Sequence, residues 1–323
     1  MKKVEEMIFV NSIKFLDKAF EERVSEAVFK NTKERELTSD NLLKINSILV
    51  ADQEVDAISI PWGSDADAFN TIFPQVFFNT CNSENGQWVA DMQMFSHIQA
   101  MFIYLPTNDL SFLKEFASIK QLYISGYSGS DWSFIENMMN LEHLYVNRSN
   151  FSNLALLAAL CKKQEKAYQE AKEKGEKDLL MFELLTNLCL KYCGITDISP
   201  LAHCPHLSDL NLSHNNINDL KPLAKLDRLY WLTLRYNQIE DIRPLRDMRR
   251  LYYLNLRHNN ISDISILSRF KNYYIGRLFL KYNPIDDFSP LKNVHLVDGD
   301  VPEYTGRAGF IIGQKVNFEE DES

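Results

Sequence analysis

The sequence predicts an α/β fold built of stacked repeats, and three observations predict it. First, "LSDLNLSHNNINDLKPLAKLDR" (207–228), "LYWLTLRYNQIEDIRPLRDMRR" (229–250) and "LYYLNLRHNNISDISILSRFKN" (251–272) are consecutive 22-residue units. A fixed period of this size marks units that bury a continuous core only against their neighbours. Second, each unit opens L-x-x-L-x-L, whose fourth and sixth positions alternate inward as a strand requires. Third, the first 50 residues keep a different period, with Phe20, Val24 and Val28 spaced as on one helix face.

Taken in chain order, residues 1–97 are expected to form a helical N-terminal cap with divergent first units. Thr38-Ser39-Asp40 can open a second helix carrying Leu42 and Ile45. "VDAISI" (55–60) reads as a strand, and "FPQVFF" (73–78) is apolar enough to be buried. The repeats run from 98 to 296: a 21-residue unit from Ile98 (Met101, Ile103, Phe112, Leu113, Phe116), then 119–140, 141–162 and 185–206. The three units above follow, and a last one starts at Ile275 after the insertion of Tyr273 and Tyr274.

The full pattern is L-x-x-L-x-L-x-x-N-x-I-x-D-[IL]-x-P-L. Its ninth slot holds Asn215, Asn237, Asn259 and Asn283, replaced upstream by Tyr127, Ser149 and Cys193. An amide there can bond to backbone groups where the chain bends inward without ladder partners. Asp197, Asp219, Asp241, Asp263 and Asp287 recur at one slot, which marks a turn device rather than paired acids for acid–base work. In Ser199-Pro200 and Ser289-Pro290 a hydroxyl is expected to cap a short helical turn. Between two units, 163–184 is a charged insertion, expected as a solvated helical excursion ending near Gly175. Residues 297–323 are expected to form a C-terminal cap with an acidic "EEDES" tail.

These slots resemble the leucine-rich repeat family, in particular the 22-residue class of bacterial internalins and nuclear protein-phosphatase regulators. The resemblance spans about three-fifths of the chain, and the segment before it is similar to the internalin cap region. It implies a curved, right-handed solenoid with one short parallel strand per unit on the concave face. Turns or short 3₁₀ segments would form the convex side.

Composition narrows function. The chain has 323 residues, 45% hydrophobic and 24% charged, with a net charge of −9, which argues against wholesale binding to nucleic acid. "MIFV" (7–10) is too short for a secretory leader, and no stretch reaches the roughly 20 apolar residues of a membrane helix. The expectation is a cytoplasmic monomer without membrane insertion, or a secreted protein if a leader has been removed. Cys81, Cys161, Cys189, Cys193 and Cys204 lack a framework spacing and are expected as reduced, buried thiols.

No cofactor or metal is expected. Cys189, Cys193, His203, Cys204 and His206 fall in slots on opposite walls, whereas zinc needs every ligand within about 2.0–2.3 Å. Asp65 and Asp67 have no further ligand in phase, and "GRAGFIIG" (306–313) lacks the Lys-Ser/Thr of a phosphate loop. The chain therefore reads as no enzyme.

The variable strand slots remain. Slot seven gives Lys191, Ser213, Arg235, Arg257 and Lys281; slot eight gives Tyr192, His214, Tyr236, His258 and Tyr282. Slot three adds Asp209, Trp231, Tyr253 and Arg277, and slot five ends in Phe279. Strands about 4.8 Å apart would turn these columns into a cationic, aromatic stripe. Trp, Tyr and Arg are the residues that most often anchor protein interfaces. The expected partner surface is Trp231, Arg235, Tyr236, Tyr253, Arg257, His258, Arg277, Phe279, Lys281 and Tyr282. Its expected ligand is a protein with an acidic or phosphorylated element. The alternatives are a carbohydrate or polyanion on a secreted or host-directed protein, and a targeting arm for a catalytic N-terminal region.

Overall fold

The computed structural model describes residues 15–29, 37–52, 75–80, 83, 87–175, 184–272, 275–292, 294, 296 and 298–300. "VDAISI", the Asp65/Asp67 pair, "GRAGFIIG", Cys81 and the acidic tail lie outside them.

One sheet organises the molecule. Its strands are β1 (Ser47–Ala51), β2 (Val76–Asn79), β3 (Ala100–Tyr104), β4 (Gln121–Ser125), β5 (His143–Asn147) and β6 (Asn187–Lys191). They continue as β7 (Asp209–Asn211), β8 (Trp231–Thr233), β9 (Tyr253–Asn255), β10 (Arg277–Phe279) and β11 (Asp298–Gly299). All pair in parallel, and the spatial order β11 to β3 is the chain order reversed. Equivalent slots face each other across every junction: Leu144 pairs with Leu188, Leu210 with Leu232, and Leu254 with Leu278. Slots four and six point into the core, where Leu232, Leu234, Leu254 and Leu256 have no exposed surface. Such burial contributes roughly 1.5–3 kcal/mol per side chain, but only while both neighbouring units stay in place.

The opposite wall is made of 3₁₀ turns, such as Ser199–His203, Lys221–Lys225 and Arg243–Asp247. Each is set by the recurrent aspartate. The Asp197, Asp219, Asp241, Asp263 and Asp287 carboxylates accept the backbone N–H two residues on, at 2.8, 2.9, 2.9, 2.8 and 2.8 Å. The device extends upstream to Asp109, Asp131 and Asn153. Here the structure corrects the expected hydroxyl cap: the carboxylate caps the turn, and Ser199 and Ser289 donate their hydroxyls to it.

The asparagine ladder closes the bends as expected. Asn237 Nδ2 donates to Leu212 O (2.9 Å) and Leu234 O (3.0 Å), while its Oδ1 accepts from Ile217 N–H at 3.0 Å. Asn215, Asn259 and Asn283 repeat the scheme. Cys193 answers with its thiol on Lys191 O, and burial pushes that thiol up to about 12.

The N-terminal region departs from the reading. Helix α1 (Lys18–Phe29) is present, but α2 (Ser39–Leu42) is one turn, capped by Thr38, and Ile45 lies beyond it. Strand β1 follows directly and inserts between β3 and β2, so β2 is the last of the described strands at this end of the sheet. Burial explains the order: every residue of β1 is buried, whereas Phe77 in β2 points outward and is exposed. Phe20, Phe78 and Phe95 close the same core that the repeats share, with α3 (Trp88–Asp91) beside them.

The charged insertion is not a free excursion. Helix α4 (Ala155–Glu173) begins inside unit 141–162, where the 3₁₀ turn would stand, and continues outward. Gln164 is buried and holds the strand layer, donating to Met139 O (3.1 Å) and Leu141 O (3.0 Å) and accepting from Leu185 N–H (3.0 Å). Gly175, at φ +71°, follows the helix end. Cys161 on α4 and Cys204 form a disulfide with Cα atoms 5.1 Å apart. That corrects the expectation of reduced thiols: the two residues are 43 positions apart, and only the folding of α4 onto the next turn joins them.

Candidate functional site

The concave face is lined by slots three, five and seven, and it changes character along the sheet. At the N-terminal end Leu49, Ala51, Ala100, Phe102 and Tyr123 form a second apolar cluster, separate from the core. Phe102, Tyr123 and Tyr145 stack at 4.4 Å between neighbours. Burial raises the Tyr104 and Tyr123 hydroxyls far above their ordinary range. His143, buried beside this column, is pushed down to about 4 by desolvation.

At the C-terminal end the face is polar and cationic. Trp231 and Tyr253, in register on β8 and β9, stack at 3.7 Å. Tyr253 is only 9% exposed and Trp231 half-buried, so the pair is a packed pillar rather than two open rings. Phe279 continues it at 5.3 Å from Tyr253, and the Arg257 guanidinium lies 4.7 Å from the Phe279 ring centre. Arg277 is in register with Tyr253.

Trp231 Nε1, Thr233 Oγ1 and Arg277 Nε are buried and have no hydrogen-bond partner among the described residues. Arg235 reaches toward the Tyr236 ring, 5.9 Å away, and among the described residues neither it nor Arg277 meets a carboxylate. Asp209, on the same face, has its pKa raised by burial, which favours its neutral form. Arg257 differs: its Nε donates to the Asp300 carboxylate at 2.5 Å.

Slot eight is a scaffold column. Arg148, Tyr192, His214, Tyr236, His258 and Tyr282 all have positive φ, between 47° and 62°, a region costing L-residues roughly 1–2 kcal/mol each. Stacking offsets that strain: successive rings from Tyr192 to Tyr282 lie 4.1, 4.2, 3.9 and 4.0 Å apart, with Arg148 beside the first. Burial, then the nearby Arg235 and Lys191 charges, push His214 down to about 4. The ten residues read from sequence thus form two adjoining columns. Tyr236, His258 and Tyr282 belong to the left-handed stack, and the other seven to the strand face. Asp300 was missed, because "DGD" (298–300) follows the last repeat with no slot pattern to place it.

A sequence model of leucine-rich repeats matches twice, over 184–225 and 228–269. No curated protein matches the chain in sequence. Among solved structures, an internalin C2 of Listeria monocytogenes is similar at 20% identity and a TM-score of 0.51, over 88% of this chain and 93% of that one. A second internalin of that organism is 21% identical over 89% and 96%, at a TM-score of 0.34. A repeat protein of Leptospira interrogans is 18% identical over 64% and 50%, at 0.46. Repeat slots, parallel sheet and structural similarity agree on the fold: a leucine-rich-repeat solenoid like that of the internalin C2.

Proposed function

We propose that the chain is a non-enzymatic protein-interaction module whose C-terminal concave face takes an acidic or phosphorylated element of a protein partner. One observation carries the reading. Trp231 Nε1 and Arg277 Nε are buried donors without acceptors among the described residues, and Arg235 and Arg277 lack carboxylates there. An unmet buried donor costs about 1–3 kcal/mol, and a carboxylate or phosphate from a partner would remove that cost with charge-assisted bonds. Trp231, Tyr253 and Phe279 supply the desolvated anchor beside it.

The carbohydrate reading has less support, because Trp231 and Tyr253 cover a face each on one another and sugar stacking needs open ring faces. A catalytic N-terminal region is also less supported, since β1 and β2 extend the same sheet and core. No described helix is long and apolar enough to cross a membrane. The Cys161–Cys204 disulfide favours an oxidising compartment over the cytoplasm. The test is an array of acidic, phosphorylated, neutral and basic peptides, with a glycan array beside it. Wild type should retain acidic or phosphorylated peptides, and Arg235→Glu, which breaks no described ion pair, should lose them while melting at an unchanged temperature. Retention of neutral and acidic peptides alike would remove the reading.

A further inference from the structure

We propose that the C-terminal end of the sheet is a strand-plus-carboxylate site, made to accept an extended Gly-Asp segment, and that Gly299-Asp300 is its occupant in cis. The inference rests on the reading of an acidic partner and names where and how its acid would sit.

The cradle has three donors. Asp300 Oδ1 accepts from Leu280 N–H at 2.5 Å and from Lys281 N–H at 3.2 Å, and Oδ2 accepts from Arg257 Nε at 2.5 Å. The carboxylate side chain is 5% exposed. Elsewhere in the sheet the equivalent N–H groups bond to the next strand, as Leu212 does to Thr233 O and Leu256 to Phe279 O. At Leu280 that strand has ended, so a carboxylate completes the edge. Arg257 is held ready by the Phe279 ring under its guanidinium.

The cradle also selects the residue before the acid. A Cβ at position 299 would lie 2.4 Å from Leu278 O, a backbone atom, so only glycine passes there. The main chain adds a parallel ladder, Arg277 to Asp298 and Leu278 to Gly299, ending with Asp300 N–H on Leu278 O at 3.3 Å. This is strand addition with a charge-assisted lock: backbone bonds give affinity, and the glycine and the acid give specificity. Among the described residues the occupant in cis pairs over two residues, and a partner strand that pairs over more can displace it. Arg277 and Lys281 flank the cradle with positive charge.

The probe is the acetylated peptide Leu-Val-Asp-Gly-Asp-Val, the sequence of residues 296–301, titrated into the full-length chain. Asp300→Ala should bind it about tenfold or more tightly than wild type does. Changing the second peptide Asp to Asn, or adding Arg257→Gln to the chain, should abolish that gain. Gly299→Ala, which displaces the segment without touching either charged group, provides a second opened chain if Asp300→Ala does not fold. Equal binding by wild type and both opened chains, or equal binding of the Asp and Asn peptides, overturns the proposal. Failure here with acidic-peptide retention intact removes the cradle alone. Cradle binding with that retention absent removes the concave-face reading alone.

Discussion

The asparagine of slot nine and the aspartate of slot thirteen look equally regular in sequence, but they do different work. Asn237 is buried and serves Leu212 O, Leu234 O and Ile217 N–H at once. Asn237→Ala leaves Ile217 N–H unmet inside the wall, while Leu212 O and Leu234 O keep the Asn215 and Asn259 amides, so about 1–3 kcal/mol should be lost in urea unfolding. Asp241 caps a solvent-facing turn, where a lost cap costs about 1 kcal/mol. Titration adds a second residue-level expectation. His143 and His214 titrate near 4 in the fold, below the ordinary value of 6.5, so the unfolded chain takes up protons first. Stability is therefore full above pH 6.5 and falls as pH drops toward 4. Below that, the turn aspartates add a second loss: Ser133 and Lys114 bonds hold Asp131 at about 2, and protonating it removes its cap. A melting temperature that stays flat from neutral pH down to about 4.5 would contradict the buried, neutral histidines.

At the scale of elements, α4 shows how a repeat absorbs an insertion without losing register. The helix replaces one 3₁₀ turn, and Gln164 takes over backbone groups of units 141–162 and 185–206. Gln164→Ala should lower hydrogen-exchange protection around Leu141 and Leu185 while leaving 229–272 protected; uniform loss along the chain would contradict a local role. The strong repeats were legible because each slot states its own burial. β1 and β2 were not, since runs of four or five apolar residues fit a strand or a buried helix equally. The order β3-β1-β2 depends on pairing between segments far apart in sequence, which no local pattern encodes. The start of α4 was hidden for a related reason: Leu157 and Leu160 satisfy the repeat pattern and the helix at once. The candidate site was legible as columns. Neither the stacking that buries Tyr253 nor the Asp300 carboxylate on Arg257 was, because both arise from contacts between units.

For the whole molecule, a net charge of −9 coexists with a concave end where Arg235 and Arg277 carry charge without a described counter-ion. That separation would steer an acidic partner to one end of one face. The convex side carries Arg246 on the turn Arg243–Asp247, exposed and cationic as well, so charge alone does not distinguish the two walls. The most direct measurement places a photo-reactive phenylalanine analogue at Phe279 on the concave face, where it keeps every charge, and, in a second chain, at Arg246. Each chain is irradiated with the acidic peptide that wild type retains. A cross-linked product is expected at 279 and none at 246; equal products, or a product at 246 alone, would contradict a concave-face site.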